Sequence, residues 1–203
     1  MNRSELIKQS RLFEEKSAPD DVYPMALAWV RIHPSWSDKI PGIAALLAIW
    51  NGNNYWDAAE SLRHGLDRED IQTHLNALKE WRLSTCNFED CRPTIVTLWT
   101  AFRREQGFGP TAVSKALHML IPDLFVPWDG PIANTYHRGH GRVHENRSVR
   151  CYFEFLLEMQ EECKNCLSEV NEEDLALRLG EICGYSKPIA KAIDEANYNL
   201  APR

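Results

Sequence analysis

A chain of 203 residues, 44% hydrophobic and 26% charged, is long enough to bury a sizeable core as one domain or as two small helical lobes. No apolar run reaches membrane-spanning length and the opening Met1-Asn-Arg-Ser-Glu5 lacks the apolar core of a signal peptide, so a cytoplasmic, membrane-free protein is expected; a monomer is the expectation for its assembly. The net charge of −6 argues against a surface coated for general nucleic-acid binding, because phosphate neutralisation supplies most of that affinity.

Apolar spacing is helical nearly throughout, with no run of strand-like alternation, and predicts an all-α fold. Helices are expected over 4–16, 22–32, 41–51, 55–64, 68–82, 93–106, 110–120, 130–138, 147–167, 172–183 and 187–198. Start signals support several of them: Ser37 or Asp38 before Ile40-Pro41, Asp67 before Arg68-Glu69-Asp70, and Asn171 before Glu172-Glu173-Asp174. The run Ile43-Ala-Ala-Leu-Leu-Ala-Ile-Trp50 is apolar on nearly every face and reads as a central helix packed on several sides. Trp50-Asn-Gly-Asn-Asn-Tyr-Trp56 then breaks it with a glycine and gathers amides and aromatics in one turn, for which ordinary helix capping is the plain explanation.

Further along, Gly107-Phe-Gly-Pro110 opens the helix Thr111-Ala-Val-Ser-Lys-Ala-Leu117. Two glycines separated by one residue bring bare backbone close to a ligand, and the following helix offers unpaired N–H groups to an anion. After it, Leu124-Phe-Val-Pro-Trp-Asp129 ends an apolar run on a single carboxylate, with Gly130-Pro131 opening the next helix. Capping of that helix explains Asp129 by itself. Residues 101–150 are net positive, carrying Arg103, Arg104, Lys115, Arg138, Arg142, Arg147 and Arg150 against Glu105, Asp123, Asp129 and Glu145. The segment Tyr136-His-Arg-Gly-His-Gly-Arg-Val-His144 reads as a phosphate-tracking loop or a solvated one ahead of a metal cluster, given its interleaved arginines. Cys163-x-x-Cys166 lies in a helical stretch where buried thiols are common; all six cysteines are expected reduced, with no metal and no cofactor.

The glycine hairpin and the aspartate that follows it together resemble the helix-hairpin-helix DNA glycosylases. Their hairpin runs roughly Leu-Pro-Gly-Val-Gly-x-Lys-x-Ala, and their catalytic aspartate follows in a Phe-Pro-Val-Asp or Leu-Pro-Asp-Asp setting. The matching residues are Gly107, Gly109, Pro110, Ala112 or Val113, and then Val126-Pro-Trp-Asp129. The Gly-x-Gly-Pro form resembles the 3-methyladenine branch, and Val113-Ser-Lys-Ala-Leu117 resembles the archaeal 8-oxoguanine branch. The resemblance runs from the Ile43 helix to about Arg138, and its motifs occupy residues 51–56, 107–117 and 124–130.

The resemblance implies two helical lobes around a cleft and an enzyme that extrudes a damaged or modified base from double-stranded DNA, with single-stranded DNA as a further substrate form. Gly107, Gly109 and Thr111, with Arg138 and Arg142, are expected to hold phosphate; Asn53 and Asn54 to fill the gap left by the extruded nucleotide; Tyr55 and Trp128 to stack on the base. Asp129 is expected to carry the chemistry. Bifunctional members place a Schiff-base lysine where this chain has Thr111, which implies a monofunctional enzyme leaving an abasic site. Lys115, one helical turn on, is the alternative amine, although a phosphate contact or a surface position is the expectation for it. Two readings from other classes stand beside this one: a noncatalytic helix-hairpin-helix DNA-binding or adaptor protein, and a helical protein-interaction module, which the pI of about 5.7 favours.

Overall fold

The computed structural model describes residues 1–16, 21–136 and 148–201, and all regular structure among them is helical. In chain order the helices are α1 (Arg3–Lys16), α2 (Val22–Ile32), α3 (Ile40–Asn51), α4 (Tyr55–Leu66), α5 (Glu69–Leu78), α6 (Phe88–Arg103), α7 (Pro110–Leu120), α8 (Gly130–Tyr136), α9 (Val149–Cys166), α10 (Glu172–Cys183) and α11 (Ile189–Leu200). A 3-10 turn, Ser37–Lys39, leads into α3. The all-α expectation holds among the described residues.

Most boundaries follow local chemistry. Gly52, left-handed at φ 67°, ends α3, and the Asn54 side chain accepts from the backbone N–H groups of Trp56 and Asp57 to start α4. Asn171 caps α10 through the Asp174 N–H, and Ser148 caps α9 through that of Cys151. Two elements depart from expectation. α6 begins at Phe88, five residues before Pro93, because burial of Phe88 and Cys91 holds a turn ahead of the proline. Pro93 is exposed, so the hydrogen bond it cannot donate is lost on the solvent side. α5 stops at Leu78 rather than 82: the chain turns there, and the Leu83 N–H pairs with the Asp123 carbonyl at 2.8 Å.

Buried apolar side chains from Leu6 to Ala196 form one cluster. α3 packs on α2, α4 and α7, as its apolar faces predict, while α6 packs on α4, α5 and α7. At the other end, α1 closes against α9, α10 and α11. α9 also packs on α6, and α11 on α8. α3 is not covered all round, however: Ile49 is exposed, and an apolar hollow of about 280 Å³ opens between α2 and α3 beside Trp29 and Ala45.

Candidate active site

Two turns lie side by side. Gly107, at φ 79°, lets the 104–109 chain reverse between α6 and α7, and its carbonyl accepts from Asn53 Nδ2 at 3.2 Å, fastening it to the turn after α3. Phe108 is buried against Phe102 and its carbonyl accepts from the Arg103 guanidinium, which anchors the reversal between the two glycines. Gly109 is extended, at φ −71° and ψ 169°, with open space where a Cβ would stand, and it delivers Pro110 into the first turn of α7. The N–H groups of Thr111 and Ala112 then belong to the first helical turn, where α-helices have no internal acceptor. Beside this turn lies a hollow of about 250 Å³ lined by Asp57, Glu60, Ser61, His64, Glu105 and Gln106, so its near flank is acidic.

The apolar run before Asp129 buries backbone polar groups that must be paired. Side chains from α7 and α9 pair them. His118 Nδ1–H donates to the Phe125 carbonyl at 2.7 Å, and the Tyr152 hydroxyl donates to that of Val126 at 3.0 Å. Ser114 Oγ accepts from the Trp128 N–H at 2.9 Å and lies 3.1 Å from the Trp128 carbonyl. His118 stays neutral: burial drives its pKa down to about 3, and Nε2 accepts from the Tyr23 hydroxyl at 2.7 Å. A pinned, nearly rigid segment therefore carries Asp129 into the first turn of α8.

Asp129 is half-buried, and Oδ1 accepts from the Ile132 N–H at 3.1 Å while its carbonyl accepts from the Ala133 N–H at 2.9 Å. It caps α8, as its sequence context predicts. Its carboxyl is pushed above the ordinary range, first by burial and then by the Asp194 carboxylate; the Ile132 N–H, Lys115 and Lys191 oppose this. Lys115 does not take the surface position expected of it. It is 9% exposed, its Nζ donates to Asn51 Oδ1 at 3.2 Å, and the ammonium lies 5.4 Å from the centre of the Trp50 ring. α7 turns this face inward because its residues from Ala112 to Leu120 are all buried.

Among the other expected site residues, Asn53 and Asn54 are engaged in the turns already described, with Asn53 Oδ1 buried and lacking a hydrogen-bond partner. Tyr55 is half-buried and meets the neighbouring Trp56 edge to face at 5.0 Å. Trp128 stands apart from them: at 1% exposed, its indole packs among Trp99, Tyr152 and Phe155 in the core, which is no place to receive a base in this conformation. Arg138, Arg142 and the three histidines 137, 140 and 144 lie outside the described residues.

Sequence reasoning passed over Asn51, Tyr23, Lys191 and Asp194. Tyr23 stacks on Trp50 at 5.4 Å and 6° between planes, and Lys191 Nζ sits 4.5 Å from the same indole. Nothing in the spacing Lys191, Asp194, Glu195 distinguishes it from a solvated i,i+3,i+4 charge pattern. Among the described residues no group of three His, Cys, Asp or Glu side chains could hold a metal ion. The Cys163 and Cys166 thiols are raised to about 12 and about 11, chiefly by burial. No family model matches the chain, and neither the curated proteins nor the solved structures include one similar to it.

Proposed function

We propose that the protein is a DNA glycosylase of the helix-hairpin-helix kind, which extrudes a damaged or modified base and hydrolyses its N-glycosidic bond to leave an abasic site. On this reading α6, the 104–109 turn and α7 form the hairpin element, and DNA lies in a cleft between two helical lobes. The observation that carries the proposal is Asp129, a half-buried carboxylate held on a pinned segment at the start of α8 with two buried lysines acting on it.

As the C1′–N bond breaks, positive charge builds on the deoxyribose, and a fixed carboxylate stabilises it. Water adds its oxygen to C1′ and loses a proton to Asp129 while the base departs with the bonding electrons. A carboxyl raised by burial is a stronger base for that proton. Gly107, Gly109 and Thr111, together with Arg138 and Arg142, would hold the phosphate backbone; Asn53 and Asn54 would occupy the gap in the stack. For the base itself the half-buried Tyr55 is better placed than Trp128, whose ring is fully packed. Lys115 reaches the same corner as Asp129, and on the monofunctional reading it serves as a fixed positive charge.

The test is base release from duplex and single-stranded DNAs carrying oxidised, alkylated, deaminated or hypermodified bases, read before and after alkali. Strand cleavage only after alkali, reduced about 10²-fold or more in Asp129→Asn, is the expected result. A borohydride-trapped adduct that disappears in Lys115→Ala would instead establish a lyase step and overturn the monofunctional assignment. The noncatalytic DNA-binding reading is favoured by salt-sensitive binding with no release from any substrate.

A further inference from the structure

α2 and α3 are apolar to a degree that suits helices packed on every side. α2 carries one charged residue, Arg31, in 11, and α3 carries none in 12. Yet one face of the pair meets water. Val22, Met25, Trp29 and Ile32 follow one another along α2 at intervals of three, four and three, the spacing of a seam between helices. Met25 and Ile32 are 70% and 71% exposed, and Ile49 of α3 is 63% exposed. The hollow of about 280 Å³ between the two helices is walled by Met25, Trp29 and Ile49, and every other residue lining it is apolar.

Trp29 is held as a rigid wall of that hollow. Its indole N–H donates to the Asp38 carbonyl at 2.8 Å, and its ring stacks on His33 at 4.3 Å. Gly42 lets α3 approach so closely that an added Cβ would stand 2.9 Å from the indole. These contacts still leave the side chain 39% exposed. A ring fixed in this way loses little conformational freedom when it is covered, and tryptophan is enriched among the residues that dominate binding energy at interfaces.

We propose that this face is where two copies of the chain meet, with α2 and α3 of one packed on α2 and α3 of the other about a twofold axis. Area favours a second copy. At about 200 Å² for a large side chain, the exposed fractions of Met25, Trp29, Ile32 and Ile49 amount to about 500 Å² per copy, and self-pairing covers about 1,000 Å², where specific interfaces begin. Shape favours it as well, because projecting side chains and a hollow to receive them lie on one face, so each copy offers what the other needs. Charge speaks against a lipid surface. Between residues 21 and 51 the charged side chains are Asp21, Arg31, Asp38 and Lys39, two of each sign, which form no basic collar for anionic headgroups. A dimer takes the place of the monomer expected from the sequence.

Sedimentation velocity of the full-length protein between about 1 and 200 µM spans the affinities of a small interface. It is run on wild type, Met25→Glu and Ile49→Glu, with Leu177→Glu on α10 as a control at a different exposed apolar residue. Wild type and Leu177→Glu are expected to move with concentration from the 23.4 kDa of one chain to twice that mass, and the other two variants to require about 30-fold or more protein to do so. Thermal melts of all three variants should match wild type, since each altered side chain is more than half exposed. If one of the two seam variants unfolds, the other decides. A wild type that keeps the mass of one chain throughout overturns the proposal, and so does a dimer that Met25→Glu and Ile49→Glu leave intact. Vesicles of phosphatidylcholine with phosphatidylglycerol separate the remaining occupant: a monomeric wild type that binds them, and loses binding in Met25→Glu, assigns the face to lipid and overturns the dimer.

Discussion

Ser114 shows how one hydroxyl in α7 governs a residue fifteen positions later. Its Oγ pairs with the backbone of Trp128, directly before Asp129, and both Ser114 and Trp128 are buried. Ser114→Ala strands the Trp128 N–H without solvent, and a loss of about 1–3 kcal/mol in urea unfolding is expected, with slower base release because Asp129 is less firmly held. Asn54 permits its two roles to be separated. Asn54→Ala should cost about 1 kcal/mol through the lost cap, whereas Asn54→Ser keeps a capping oxygen and near-wild-type stability. If Asn54→Ser nevertheless impairs excision, the amide contributes to holding the extruded nucleotide; unchanged excision confines it to capping. Trp56, 75% exposed two residues on, offers a contrast: its truncation to alanine should change stability by no more than about 0.5 kcal/mol.

The helices meet where small residues let them. Gly65 on α4 faces Phe102 on α6, and a Cβ added at Gly65 would stand 2.7 Å from the ring. Gly65→Ala should therefore cost about 1–3 kcal/mol by overpacking, seen as a lower melting temperature with the helix content by circular dichroism retained. Two expected boundaries moved because a tertiary contact outweighed a local signal, and three other signals were not met: Asp67 does not cap α5, neither Ser37 nor Asp38 caps α3, and α6 ends at Arg103 rather than 106. Pro93 reads as a helix start, yet burial of Phe88 adds a turn before it; the α5 pattern continues past Leu78, yet a backbone bond to Asp123 draws the chain away. The caps at Asn171 and Asp129 and the glycine reversal at Gly107 were legible because each depends on residues within one turn.

Across the whole molecule, buried ionisable groups make stability depend on pH. His118 has a folded pKa of about 3, below its unfolded value near 6.5, so in that interval the unfolded chain binds the proton and the folded chain does not. This contribution is fully present above about 6.5 and is lost as pH falls, by about 1.4 kcal/mol per unit once below it. Glu195 and Asp129 act in the other direction, since their raised folded values favour the folded state as they take up protons. The His118 loss is the difference in the pH dependence of denaturant unfolding between pH 7 and 5 that disappears in His118→Phe, whatever that variant's overall stability. An equal slope in both proteins would show that His118 does not titrate on unfolding.

By itself the sequence determined the all-helical class, the caps and turns, and the presence of a lone carboxylate at the head of a helix, because these follow from spacing and side-chain chemistry over a few residues. Tertiary structure alone decided which charges face inward. Lys115, Lys191 and Asp194 look like solvated helix positions in a linear reading, and Trp128 looks like a free aromatic beside the aspartate. Packing of α7 and α11 into the core buries those three charges and brings the two ammonium groups to the Trp50 ring, while α9 closes over Trp128. Helical periodicity specifies that a residue lies on a given face; only the partners of that face determine whether it meets water, a ring or another charge.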